Sequence, residues 1–250
     1  MSVAQYAWFG AGLLVLVTAT MLVARGAGVS LGWAPLWTLT RAVVQLSAVA
    51  LLLRGILSVP WTVVVFLLLM LAVASSTASG RLRQLWHGRR AAVIGVTAGA
   101  AASLVLIFGL RLVDLQARYV VAVAGIIIGN AMNASTLSGR NFLRGTRHRR
   151  DEIEAWLSLG ATPSEAHLEI GREAVRESLL PNLDQTRSTG LVTLPGAFVG
   201  ALFGGAGPAE AARFQLVVLA GIALAMTTCG VVVTRLLGRS PYVSVTAEER

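Results

Sequence analysis

Between residues 60 and 79 the chain reads PWTVVVFLLLMLAVASSTAS, twenty residues without a single charge. About 20 mostly apolar residues are what an α-helix needs to cross the hydrocarbon of a bilayer. The same reading, carried outward, predicts spans at 6–24, 36–54, 91–110, 119–138, 189–206 and 214–236. Composition agrees: the 250 residues are 55% hydrophobic and 13% charged, with a mean hydropathy of +0.71. Soluble chains carry about 25% charged residues. The expected fold is therefore an all-α integral membrane protein of about seven transmembrane helices, one domain over 1–250.

All 21 basic residues are arginine, and there is no lysine. A P-loop needs a lysine to reach nucleotide phosphates, and a Schiff-base cofactor needs a lysine amine. Both are excluded for this chain. The only cysteine, Cys229, excludes an intrachain disulfide. His87, His148 and His167 fall in polar connections, which leaves no predicted span with a histidine base. The net charge of +9 and pI of 11.4 would point to nucleic acid in a soluble protein. In a membrane protein the same charges mark the cytoplasmic side, and no nucleic-acid partner is expected. Placing 25–35, 80–90, 139–188 and the tail after 236 inside, with Arg41 and Arg235 at the cytoplasmic ends of their spans, gathers 17 of the arginines on that side. Only Arg54, Arg111, Arg118 and Arg213 are left outside. This predicts a plasma-membrane protein with its N-terminus outside and its C-terminus in the cytoplasm. Trp8, Trp33, Trp37, Trp61 and Trp86 fall near span ends, as an interfacial belt requires.

Two spans are irregular. Arg41 interrupts the second. The sixth, with Pro195 and five glycines between 196 and 207, reads as a broken helix, tolerated where it faces protein or a cavity.

Residues 139–188 form the one long polar segment and hold eight of the twelve acidic residues. DEIEAWLSL at 151–159 predicts a short helix stopped by Gly160, with Ile153, Trp156 and Leu157 on one side. Thr162, Pro163 and Glu165 predict a capping box for a second helix, which Pro181 should end. Glu165, Glu169, Glu173 and Glu177 recur every four residues and read as a solvated face with Arg172 and Arg176 nearby. Trp156 either packs back on the bundle or anchors a partner.

Polar groups inside the spans are costly and mark function or helix packing. Arg41 and Gln45 share a face one turn apart; Arg41 either snorkels to the interface or serves a pathway. Asn130, Met132 and Asn133 offer oxygen and sulfur to a cation, or act as bundle glue. Met226 and Cys229 form a soft pair that more often packs than binds metal. Gly125 and Gly129 form a GxxxG, a close-packing signal.

These residues also carry a resemblance. Glu154, Ala155 and Gly160, with Trp156 between and Ile170 ten residues on, are similar to the coupling-loop motif of ABC-transporter permeases. TRAVVQL at 40–46, AGIIIGNAM at 124–132, LSLGATP at 157–163 and GLVTLPG at 190–196 occur in the order of FetB-type permeases of iron-export ABC systems. Plant aluminium-sensitivity permeases are of the same group, and Gly204, Gly205, Pro208 and Gln215 extend the match.

The resemblance implies a transport permease, not an enzyme, that exports a metal ion with ATP hydrolysed elsewhere. ATP and magnesium would sit on a separate ABC ATPase subunit, with no cofactor on this chain. A second copy of the permease and membrane lipid are the other expected partners. Coupling falls to Glu154, Ala155, Trp156 and Gly160, and the translocation path to Arg41, Gln45, Asn130, Met132, Asn133 and Pro195. The family's methionines after Leu-Pro-Gly are replaced here by Ala197 and Phe198, which cannot ligate metal. The metal ligands therefore have no sequence assignment. An ion-gradient transporter or a membrane adaptor without an ATPase partner is the alternative reading.

Overall fold

The computed structural model describes residues 3–56 and 60–240. Arg250 lies outside them, as does the side chain of Arg54. Two compact units divide the chain at Val59. The first holds α1 (Val3–Gly26) and α2 (Ala34–Ile56), which touch each other. Their threonines do not weaken them as spans. Thr18, Thr20, Thr38 and Thr40 each donate to the carbonyl one turn back, at 2.8–2.9 Å. A hydroxyl satisfied in this way needs no water.

The second unit holds α3 (Pro60–Arg81), α4 (Gly88–Gly109), α5 (Ala117–His148), α6 (Arg150–Ser158), α7 (Pro163–Ala166), α8 (Leu168–Ser188), α9 (Gly196–Phe203) and α10 (Pro208–Leu237). Among the described residues, six helices are long and apolar enough to cross a membrane: α1 to α5 and α10. The predicted span at 189–206 is the difference. Its helix, α9, has eight residues, a length of about 12 Å. The stretch before it is a loop closed by Gly190, whose N–H donates to Thr193 O at 2.8 Å with φ at +89°.

The core lies where α10 packs on α4 and α5. Lipid tails give no hydrophobic drive between helices, so close van der Waals contact of small residues does the work. A Cβ on Gly95 would stand 2.5 Å from Val233 Cγ2, and one on Gly99 would overlap the carbonyl of Ala225. Gly221 leaves its space to Ile107 and Ile127. Two hydrogen bonds tie the seam: Ser103 Oγ donates to Gly221 O at 2.9 Å, and Cys229 Sγ to Ala131 O at 3.2 Å. Met226 and Cys229 are both core residues, so their pair is taken up by packing. The GxxxG of α5 is split. Gly125 meets Met70 of α3, whereas Gly129 faces open space.

α5 is the longest helix at 32 residues, about 48 Å against a hydrocarbon core of about 30 Å. Its last turns carry Arg140, Arg144 and Arg147 at the end where Arg81, Arg89, Arg90 and Arg235 also lie, the arginine-rich end.

Candidate functional site

Helix α6 is fixed by three devices, each legible in the residues. Ile153 is its anchor, fully buried against the core, and Leu157 is half-buried beside it. Trp156, expected on that same side, is 51% exposed and Leu159 is 82% exposed. A rotation of 300° from Ile153 to Trp156 is enough to carry the indole past the seam when only one turn is anchored. Beside it, Glu152 takes a forked pair from Arg149, at 2.7 and 2.8 Å. That Arg149 bond holds the Glu152 carboxyl below its ordinary range and raises the Arg149 guanidinium. Glu154 pairs with Arg150 at 2.7 Å; Ala155 is exposed.

Gly160 stops the helix in a left-handed conformation, φ +89°. Its N–H donates to Leu157 O at 3.0 Å, and that of Ala161 to Trp156 O at 3.0 Å. This is the paired bonding of a Schellman cap, which wants glycine at that position. The next helix begins two residues later with the expected capping box. Thr162 N–H donates to Glu165 Oε2 at 2.8 Å, and Glu165 N–H to Thr162 Oγ1 at 3.4 Å. The Thr162 hydroxyl and amide both donate to the Glu165 carboxylate and hold its pKa down.

Two expectations about this segment change. The capped helix α7 is a single turn, and His167 turns the chain into α8. His167 is no polar connector: it is 2% exposed, stacks near Phe142 and donates from Nδ1 to Pro163 O at 2.7 Å. Nor does Pro181 end α8, which continues to Ser188. Proline lacks the amide for the carbonyl of Glu177, but packing of the lower turns carries the helix past it.

The glutamate stripe is a set of pairs. Glu165 caps Thr162, and Glu169 meets Arg172 at 3.3 Å. Glu173 meets Arg149 at 3.6 Å, and Glu177 meets Arg144 at 2.7 Å. The last two reach α5 or the turn after it, and so fasten α8 along that helix. Spacing within one helix could not show this.

The proposed path residues are distributed as follows. Arg41 and Gln45 are exposed in the first unit. Asn130 donates to Ile126 O at 2.8 Å and is half-buried; Asn133, one turn on, is exposed; Met132 packs on the core. Pro195 stands before the first turn of α9 and supplies no side-chain cap. The cap comes from Gln215, buried in α10, whose Oε1 accepts the Phe198 N–H at 3.1 Å. Gln215 thus holds the broken segment to the bundle by satisfying one orphan donor. No local signal in the sequence connects two residues seventeen positions apart.

Among the described residues, no group of three or more His, Cys, Asp or Glu is placed to hold a metal.

Comparison with known proteins fits this architecture. The model of the family described as "Uncharacterised protein family (UPF0014)" matches residues 8–242. The "UPF0014 membrane protein STAR2" of Oryza sativa subsp. japonica is 32% identical, over 91% of this chain and 83% of that protein. "Protein ALUMINUM SENSITIVE 3" of Arabidopsis thaliana is 31% identical, over 84% and 77%. The "Probable iron export permease protein FetB" of Escherichia coli (strain K12) is 30% identical, over 82% and 80%. No solved structure matches. The chain belongs to the UPF0014 family of multi-pass membrane proteins, the group of the FetB-type permeases.

Proposed function

We propose that this chain is the membrane subunit of an ATP-driven exporter whose ATPase is a separate polypeptide. One observation carries the reading. Helix α6 is pinned by Ile153 and stopped by a left-handed glycine, yet presents Trp156 and Leu159 to solvent. Exposed tryptophan on a rigid short helix is the kind of anchor that fills a partner's pocket. Glu154, Ala155 and Gly160 complete that surface, and a similar protein is named as an iron export permease.

On this reading ATP and magnesium bind the partner, and this chain holds no cofactor. Two copies of the permease face a pair of ATPase subunits at the arginine-rich, cytoplasmic end. The N-terminus lies outside and the C-terminus inside the plasma membrane. The cargo is a metal cation of the iron type, moved past Asn130, Met132, Asn133 and Pro195; Arg41 and Gln45 enter as path residues from the sequence alone. Ala197 and Phe198 give that path no soft ligand.

The test is a mild-detergent pull-down of the tagged chain from native membranes, wild type beside Gly160→Pro. Recovery of an ABC-type ATPase with the wild type and its loss with the variant support the proposal. If no ATPase copurifies even after crosslinking, a gradient-driven transporter or an adaptor takes its place.

A further inference from the structure

Helix α8 belongs to the segment whose sequence places it wholly on the cytoplasmic side, but its packing tells otherwise. A Cβ on Gly171 would touch Thr234 at 3.5 Å, and one on Gly230 would touch Val175 at 3.4 Å. Four residues forward on α8 thus correspond to four residues back on α10. The two helices run antiparallel, in step. α5 gives the same direction independently: Ile170 lies against Gly145, and Ser138 Oγ donates to Ser178 Oγ at 3.0 Å.

Depth follows by arithmetic. Gly171 is level with Thr234, beside Arg235 at the arginine-rich end of α10. Thirteen residues separate Gly171 from Asp184, about 20 Å along a helix axis. The hydrocarbon core is about 30 Å thick. Asp184 therefore lies about 20 Å inward from that level along α8, within the thickness of the hydrocarbon core. The far end of the segment fits, since α9 is tied to Gln215, towards the opposite end of α10. Carrying the α5 pairing forward brings Asn133 and Asn130 level with residues 182–186.

This upper half of α8 is polar and uncovered. Asp184 and Arg187 form an ion pair at 3.2 Å, with their side chains 66% and 80% exposed. Gln185 and Thr186 are exposed beside them. A charged pair open to lipid is expensive, and such groups face a bundle interior or a water-filled cavity.

The geometry points to a water-filled passage within the membrane, lined by Asn182, Asp184, Gln185 and Arg187 of α8 and by Asn133 of α5. Its carboxamides and compensated ion pair suit a small hydrated polar or ionic solute. α8, the loop after it and α9 together make the crossing that the sequence assigns to 189–206 alone. The inference rests on the permease reading only in calling the passage a transport route.

Two readouts test it, neither of which needs nucleotide or a partner chain, so failure of the ATPase pull-down leaves them independent. The first is labelling of Gln185→Cys in sealed membrane vesicles by a charged, membrane-impermeant methanethiosulfonate. The native Cys229 is fully buried, and the unmodified chain serves as the blank. Labelling is expected about tenfold faster than at Val105→Cys, an exposed apolar position of α4. The second is crosslinking of an Asn133→Cys, Asn182→Cys pair by a short bifunctional thiol reagent, against Asn133→Cys with Arg172→Cys. The first pair should join and the second should not. Labelling without the crosslink would put α8 outside the membrane and overturn the proposal. A crosslink without labelling would mean a dry interface, which overturns it equally. Thr186→Cys replaces Gln185→Cys if that variant does not fold.

Discussion

The seam between α4 and α10 and the short helix α6 are built on opposite plans. In the seam, Gly95, Gly99 and Gly221 let backbones meet so closely that no added methyl fits, and contact is continuous along several turns. In α6 one residue, Ile153, is buried, and orientation is left to the Gly160 stop after it and to the Arg149–Glu152 pair at its start. A seam of that kind moves as one piece, because packed interiors do not deform continuously. A helix held at one point and capped at its end is a presented surface. The contrast separates residues that keep the protein folded from residues that meet something else.

The comparison breaks if a change in the seam is tolerated. Gly99→Val should destabilise by about 3 kcal/mol, since overpacking forces backbone shifts, seen as a lower midpoint of thermal unfolding in detergent. Trp156→Ala should leave that midpoint almost unmoved. It should instead weaken ATPase association by about 2 kcal/mol, roughly thirtyfold in Kd, as a hot-spot truncation does. Equal losses of stability from both variants would erase the distinction. Gly160→Ala sharpens it from the middle: a left-handed alanine costs about 1 kcal/mol, read as faster local hydrogen exchange in 155–162 with the bundle unchanged.

The smallest effect comes from Glu165. Its folded carboxyl is held below the ordinary 4.5 by the Thr162 hydroxyl and amide. The stabilisation is therefore complete above the unfolded value and lost as pH falls through the lower folded one. Exchange protection at 163–167 should fall in that acid window in the wild type and stay flat in Glu165→Gln. A flat wild-type profile would mean the box is not formed.

The sequence made legible whatever depends on neighbours along the chain. Long apolar runs give α1, α3, α4 and α10, and the Thr162–Glu165 box and the Gly160 stop appear as read. Positions set by other helices were hidden. Gln215 looked like a polar residue inside a span until α9 supplied an amide for it to accept. The spacing of Glu173 and Glu177 showed a stripe but not the arginines of 144 and 149 that it meets. Pro181 reads as a terminator because proline breaks isolated helices; here the turns below it are held by packing, and the helix passes through. The depth of α8 was hidden for the same reason, since a charged run looks cytoplasmic until its contacts with α5 and α10 fix its level.

Pro181 has a mechanical consequence. Without its amide, the carbonyl of Glu177 has no rung above it, and a ladder missing one rung bends there at less cost than elsewhere. Below this point α8 is clamped by Ser178, Val175 and Ile170; above it the side chains from 183 to 187 are exposed. The helix is a stiff rod with a compliant joint between its fixed and free ends. Thrust entering through α6 and α7 would tilt the upper arm about that joint, while the glycine seam beside it stays still.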